Sequence, residues 1–268
     1  LSLVLLLQGA VAHLQKDFVL TSTADRNLVF LKERLVPATT PTGNVVMPAY
    51  DKELQKMDGF GAALTGSTCY NLMQMEEKAR KKFINSTFSP RKGLGFSYVR
   101  ISIGCSDFSL SEFTCCDKPG IENFSLTDED VDYVIPILKE VRKVNPEVLI
   151  LGSPWTCPIW MKVNNLKECK PFLSWTDGQL NPKYYADYAT YFVRWINAYK
   201  DMGIPIHAVT VQNEPLNRGN SASLFMGWKE QQEFVAEHLG PAFEEAGINT
   251  RIYAYDHNYN YDKLPEQQ

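Results

Sequence analysis

Along this chain the spacing of apolar positions switches repeatedly between two periods, and the switches mark out its elements. Five apolar, β-branched runs read as strands: Leu54 to Leu64, Phe96 to Ile103, Val148 to Gly152, Ala208 to Val211 and Arg251 to Tyr255. The first carries Gly59 and Gly61 and can bend near a rim. Between the runs come helical stripes. Thr127 can cap a helix through Asp130, after which Val131, Val134, Ile135, Leu138 and Val141 recur at i, i+3, i+4, i+7 and i+10. Asn181-Pro182 starts a second helix, with Tyr185, Tyr188, Phe192, Trp195, Ile196 and Tyr199 on one side and Gly203 past its end. A third runs from about Lys229 to Ala246 and stops at Gly247. Strands alternating with helices predict βα units around a parallel sheet.

A single eight-fold βα barrel takes about 250 residues. The chain has 268, yet five strand-helix repeats are all that fit before Gln268. The expected fold is therefore α/β, a barrel incomplete on its C-terminal side. Ahead of it, Phe18-Val-Leu-Thr21 and Leu28-Val-Phe-Leu31 read as short strands of a separate β element. The expected divisions are 1–12, 13–50 and 51–268, with no internal repeat and no low-complexity tract.

Polar residues gather where the strands end: Ser106-Asp107-Phe108, Ser153-Pro154-Trp155, Asn213-Glu214 and Asp256-His257-Asn258. The run His207-Ala-Val-Thr-Val-Gln-Asn-Glu-Pro215 carries the most chemistry. A strand delivers Glu214 to a rim, and Pro215, which has no N–H for the ladder, stops it there. A carboxyl group in such a place suits acid or base work, because partial desolvation favours the protonated form while the pocket stays open. Asn213 can hold a ligand hydroxyl. A plain strand-end turn with an exposed glutamate is the competing reading of the tripeptide alone.

Composition narrows the partners. At 44% hydrophobic and 12% aromatic the chain can bury a large core, and its Trp and Tyr content suits sugar faces as well. Net charge is −4, with no Lys/Arg stripe to track a phosphate backbone, so nucleic acid is excluded as a partner. The run Leu1 to Ala12 ends in Ala10-Val11-Ala12, the small-residue spacing of an export-signal cleavage site, and is too short to span a bilayer. A buried first strand is the alternative. Six cysteines lack CxxC pairing, which argues against zinc, and one disulfide among Cys105, Cys115 and Cys116 stays open. Asn85-Ser-Thr87 and Asn123-Phe-Ser125 fit the N-glycosylation pattern.

Four motifs stand in order: Gly59-Phe-Gly-Ala-Ala-Leu-Thr65, Tyr98-Val-Arg-Ile-Ser-Ile-Gly-Cys-Ser-Asp-Phe-Ser109, Ser153-Pro-Trp-Thr-Cys-Pro-Ile-Trp-Met-Lys162 and Ala208-Val-Thr-Val-Gln-Asn-Glu-Pro215. In order and spacing they resemble the glucosylceramidase family, glycoside hydrolase family 30, over roughly residues 55 to 262. The resemblance implies a (β/α)8 TIM barrel with an accessory β-sandwich built from both chain ends. It also implies a retaining, double-displacement hydrolase of β-glucosidic bonds that needs no metal or organic cofactor. Residue by residue, it makes Glu214 the acid/base and Asn213 the partner of the sugar 2-hydroxyl. Asp107 and Trp155 line the sugar subsite, and Arg100 lies near the nucleophile, keeping it ionised. Asp256 and His257 end the fifth strand and are expected at the pocket rim, with Asp256 a substrate contact. The implied substrate is a β-glucoside such as glucosylceramide, with an endo-acting β-1,6-glucanase as the alternative within the family and a non-catalytic carbohydrate-binding barrel outside it. The expected location is secreted or periplasmic, or lysosomal in an animal. Nothing speaks to oligomeric state.

One departure from the family pattern stands out. Its nucleophile is a glutamate ending the seventh strand, and this sequence runs out soon after the fifth. Glu230, Glu233, Glu237, Glu244 and Glu245 belong to a helix outside the barrel, and Glu266 is terminal. The expectation is a nucleophile outside these residues and a 268-residue polypeptide inactive by itself.

Overall fold

The computed structural model describes residues 51–258 and, by backbone, the strands β1 (Phe18–Thr21) and β2 (Leu31–Arg34). The apolar run Leu1–Ala12 and Glu266 lie outside the described residues. The chain forms two compact units, Leu1–Lys56 and Met57–Gln268. In the first, β1 and β2 pair antiparallel, with Phe18 opposite Arg34 and Thr21 opposite Leu31. The second strand thus begins where the expected run Leu28–Leu31 ends.

The second unit runs β3 (Gly61–Ala63), α1 (Gly66–Gln74), α2 (Glu77–Phe88), β4 (Tyr98–Ile103), α3 (Ile135–Val144) and β5 (Leu149–Pro154). It continues with β6 (Lys162–Val163), β7 (Gln179–Leu180), α4 (Tyr185–Asp201), β8 (Ala208–Thr210), α5 (Trp228–Glu233), α6 (Gly240–Glu245) and β9 (Arg251–Tyr253). Strands β3, β4, β5, β8 and β9 form one parallel sheet in sequence order. That is the wall of a (β/α) barrel, as the alternating pattern predicts. β6 and β7 pair antiparallel in a separate ribbon between β5 and α4.

The first expected strand shrinks to Gly61–Ala63, at an edge of the described sheet. Only glycine tolerates the contact there, since a Cβ at Gly61 would sit 1.5 Å from the carbonyl oxygen of Tyr98. Helices α1 and α2 have no counterpart among the expected stripes. α2 buries only Ile84 and Phe88, too few apolar positions to mark a face. Each starts at a side-chain cap: Thr65 Oγ1 accepts the N–H of Thr68 at 3.2 Å, and Glu76 accepts that of Ala79 at 3.1 Å.

Period-two alternation sorts the strand residues between two faces. Val99, Ile101, Ile103 and Ile150 are buried and join the core with Tyr188, Phe192 and Trp195 of α4. Tyr98, Arg100 and Ser102 turn the other way and remain partly exposed. The helix-facing side is tightest at Gly152, where a Cβ would come within 2.7 Å of the Trp195 ring and 3.2 Å of Ile103. We expect Gly152→Ala to cost about 1–3 kcal/mol by overpacking. Thermal unfolding checks this, and an unchanged melting temperature would show that the indole yields.

Two helices depart from simple periodicity, each at a π turn. Over Asp130–Val134 the turn takes up an extra residue, which rotates Val131 out to 45% exposure and Asp130 inward. Val131 therefore leaves the expected stripe. Asp130 is satisfied where it lands: Tyr199 donates to Oδ1 at 2.6 Å, and the Thr127 hydroxyl and amide donate to Oδ2 at 2.9 and 3.1 Å. The helix expected over Lys229–Ala246 is broken by a second π turn at Phe234–Leu239 just before Pro241. All six cysteines are free thiols, so no disulfide joins Cys105, Cys115 and Cys116. Their sulfurs face other partners: Cys115 Sγ meets Asp130 at 3.8 Å, and Cys116 Sγ meets the carbonyl of Gly120 at 3.3 Å. Among the described residues no helix is long and apolar enough to cross a membrane.

Candidate active site

The sheet face turned away from the helices carries a polar cluster at the C-terminal ends of its strands. Arg100 comes from β4, Ser153 from β5, Thr210 from β8 and Asp256 from the segment after β9. Arg100 Nη2 donates to Asp256 Oδ2 at 2.5 Å and to Ser153 Oγ at 2.8 Å. The same Oδ2 accepts from the hydroxyls of Ser153 and Thr210 at 3.0 and 2.9 Å. The Arg100 guanidinium also lies over the Trp155 ring, 4.8 Å from its centroid. Arginine and aspartate thus neutralise each other among hydroxyls, which keeps a charged cluster tolerable in a half-buried place.

Glu214 stands beside this cluster with a left-handed backbone, φ 42°. A residue before proline is pushed toward extended conformations, so this position is strained. Two hydrogen bonds hold it. The Glu214 N–H donates to the carbonyl of Asp256 at 2.8 Å, and the Glu214 carbonyl accepts the N–H of Asn217 at 2.8 Å. The carboxylate is ringed by side-chain amides: Asn217 and Asn220 each donate to Oε2 at 2.8 Å, and Asn258 reaches Oε1 at 3.3 Å. Arg100 Nη2 also donates to Oδ1 of Asn213 at 3.0 Å, which fixes that amide and leaves Nδ2 as its donor end.

The structure brings together Arg100, Trp155, Asn213, Glu214 and Asp256 from the expected set. Asp107 is exposed in the loop after β4, and no described hydrogen bond joins it to the cluster. Arg100 is expected beside a nucleophile; its carboxylate partner among the described residues is Asp256. His257 follows Asp256, and burial holds its imidazole below the usual range against the upward pull of Glu214 and Asp256. Glu230 caps α5 instead, accepting from the Gly227 N–H at 2.8 Å and from Gln179 at 3.0 Å.

Sequence reasoning missed Asn217, Asn220, Thr210 and Lys162. The two asparagines look like ordinary turn formers, and Thr210 shows only as an inward position of β8. Lys162 is 2% exposed, and its ammonium donates to the carbonyls of Ser174, Trp175, Asp177 and Ser223 at 2.9, 3.1, 2.8 and 2.8 Å. It ties the loop before β7 to the loop after β8. The same two loops are joined by Arg218–Asp177 at 2.5 Å and by the Asp177 N–H on Ser223 Oγ at 2.8 Å. Among the described residues no group of three or more His, Cys, Asp or Glu is placed to hold a metal.

A parallel βα sheet whose strand ends present a carboxyl group, an amide and an arginine-bound carboxylate defines a barrel of the glycoside-hydrolase class. The chain belongs to glycosyl hydrolase family 30: that family's TIM-barrel domain matches residues 57–266. It is similar to the lysosomal acid glucosylceramidase of Mus musculus, 30% identical over 81% of this chain and 43% of that protein. It is likewise similar to an endo-1,6-beta-D-glucanase of Trichoderma harzianum, 34% identical over 80% of this chain and 45% of that protein. A solved structure described as an endo-beta1,6-glucanase is 56% identical, with a TM-score of 0.82, over 93% of this chain and 54% of that one. The chain thus spans less than half the length of these two curated relatives.

Proposed function

We propose that this chain is the acid/base-bearing part of a retaining hydrolase that cleaves β-1,6-linked glucan internally. The observation that carries the substrate is the 56% identity to an endo-beta1,6-glucanase structure across 93% of the chain. Glucosylceramide is the second reading, favoured by the mouse relative at 30% identity.

In this reading Glu214 gives its proton to the glycosidic oxygen as the bond from that oxygen to C1 breaks and the electron pair leaves with the oxygen. A second carboxylate bonds to C1 at the same time. Water then attacks C1, Glu214 takes the water's proton, and the second carboxylate departs with its bonding pair. Asn213, its Oδ1 pinned by Arg100, offers Nδ2 to the sugar 2-hydroxyl. Trp155 has a buried indole N–H with no partner among the described residues, a donor that a sugar hydroxyl would satisfy. The Arg100–Asp256 pair forms the floor of the subsite. Asp256 is committed to three donors, which makes it a poor nucleophile, and the second carboxylate is assigned to a residue outside 51–258.

The whole protein, given β-1,6-glucan or glucosylceramide, is expected to release short gluco-oligosaccharides from the first faster than ceramide from the second. Faster ceramide release would overturn the substrate. Trapping with a 2-deoxy-2-fluoroglucosyl fluoride should label a glutamate outside 51–258, and an adduct on Asp256 would refute that assignment.

A further inference from the structure

We infer that Asn217 and Asn220 are positioning residues that together hold Oε2 of Glu214 and so make Oε1 the oxygen that carries the proton to and from the substrate. The inference rests on Glu214 being the acid/base, and on an asymmetry in its surroundings. Oε2 takes two amide donors at 2.8 Å each. Among the described residues Oε1 has a single long contact, 3.3 Å from the exposed Asn258, that an incoming glycosidic oxygen can displace. The orientation of the Asn217 amide is fixed independently, because its Oδ1 accepts the Gly219 N–H at 2.9 Å and Nδ2 must therefore face Glu214.

Chemistry then decides where the proton sits. A protonated carboxyl group has one O–H donor, and an oxygen already facing two N–H donors has no acceptor to point a hydrogen at. The proton therefore resides on Oε1. In the first step the Oε1–H bond breaks and the hydrogen passes to the leaving oxygen. In the second, a water O–H bond breaks and its hydrogen returns to Oε1. Between the steps Glu214 is an anion, and the two amides hold it in place without being able to take the proton themselves.

The donors are also preorganised. Their loop closes on itself through the Met226 N–H to the Pro215 carbonyl at 2.8 Å. It is pinned to its neighbours by Arg218 on Asp177 and by Ser221 on Glu112, each at 2.5 Å, and by Lys162 on the Ser223 carbonyl at 2.8 Å.

Asn220 is the position to test, since Asn217 also supports a turn. In the whole protein, Asn220→Ala removes one donor to the ionised carboxylate, so the alkaline limb of kcat/KM on β-1,6-glucan is expected to move up by about one pH unit. The isosteric Asn220→Asp should move it at least as far, and it carries the test if the alanine variant does not fold. A purely structural asparagine would lower activity at every pH and leave the limb in place. An unmoved limb in a folded variant, with Glu214→Gln inactive on the glucan, would overturn the inference alone. Full glucan activity in Glu214→Gln would overturn the acid/base reading as well.

Discussion

Glu214→Gln in the whole protein should lower kcat/KM on β-1,6-glucan by about 10²- to 10⁴-fold, the usual contribution of a positioned acid and base. The substitution keeps the shape of the side chain and removes its exchangeable acid proton, so the left-handed turn at φ 42° and its bonds to Asp256 and Asn217 should survive. The loss should depend on the leaving group. A glucoside of an acidic phenol needs little help to depart and should still form the glycosyl-enzyme, which then waits for water that has lost its base. Azide, an anion that needs no deprotonation, should restore turnover and yield the β-glucosyl azide, with the configuration retained. Equal losses on good and poor leaving groups, or no azide product, would remove Glu214 from the acid/base role.

The second large effect is on stability, at Lys162. Burial pulls its ammonium from the ordinary 10.5 down to about 8, so the side chain is still charged at neutral pH. That drop is a burial cost of about 3 kcal/mol. Against it stand four carbonyl oxygens within 3.1 Å, of which that of Trp175 also accepts the Ser223 N–H at 2.9 Å. Leaving a buried carbonyl without a donor costs about 1–3 kcal/mol, and those of Ser174, Asp177 and Ser223, partly or fully buried, have no other donor among the described residues, so together they offset the charge. Lys162→Met is therefore expected to destabilise the fold by about 3 kcal/mol or more. The loops carrying Trp175 and Ser223 should loosen first. Denaturant unfolding checks the first point and proteolysis near Ser174–Asp177 the second. A variant as stable as the parent would mean that water enters and serves the carbonyls.

These two residues differ in how they announce themselves. Glu214 is legible because a β-branched run, a carboxylate and a proline are consecutive, and each acts on the backbone locally. Lys162 ends the motif in which the resemblance marks Trp155, and nothing near it in sequence is its partner. Its acceptors lie between 12 and 61 residues away. The same division holds for the helices. The α4 stripe was readable because eight of its residues are buried on a regular period. α2 buries two, and the π turn at Asp130–Val134 shifted Val131 out of the face that ideal periodicity gave it.

By itself, then, the sequence determined the five parallel strands and the helices α3 and α4 between them, the parallel βα plan, and the arrival of Asn213 and Glu214 at a strand end. Those follow from side-chain alternation, helix caps and proline, all forces that act within a few residues. Tertiary structure alone decided that Arg100 meets Asp256 across 156 residues of chain, that Asn217 and Asn220 close on one oxygen of Glu214, and that a buried lysine binds two loops together. Such meetings depend on strand register and loop path, and on the requirement that every buried polar atom find a partner.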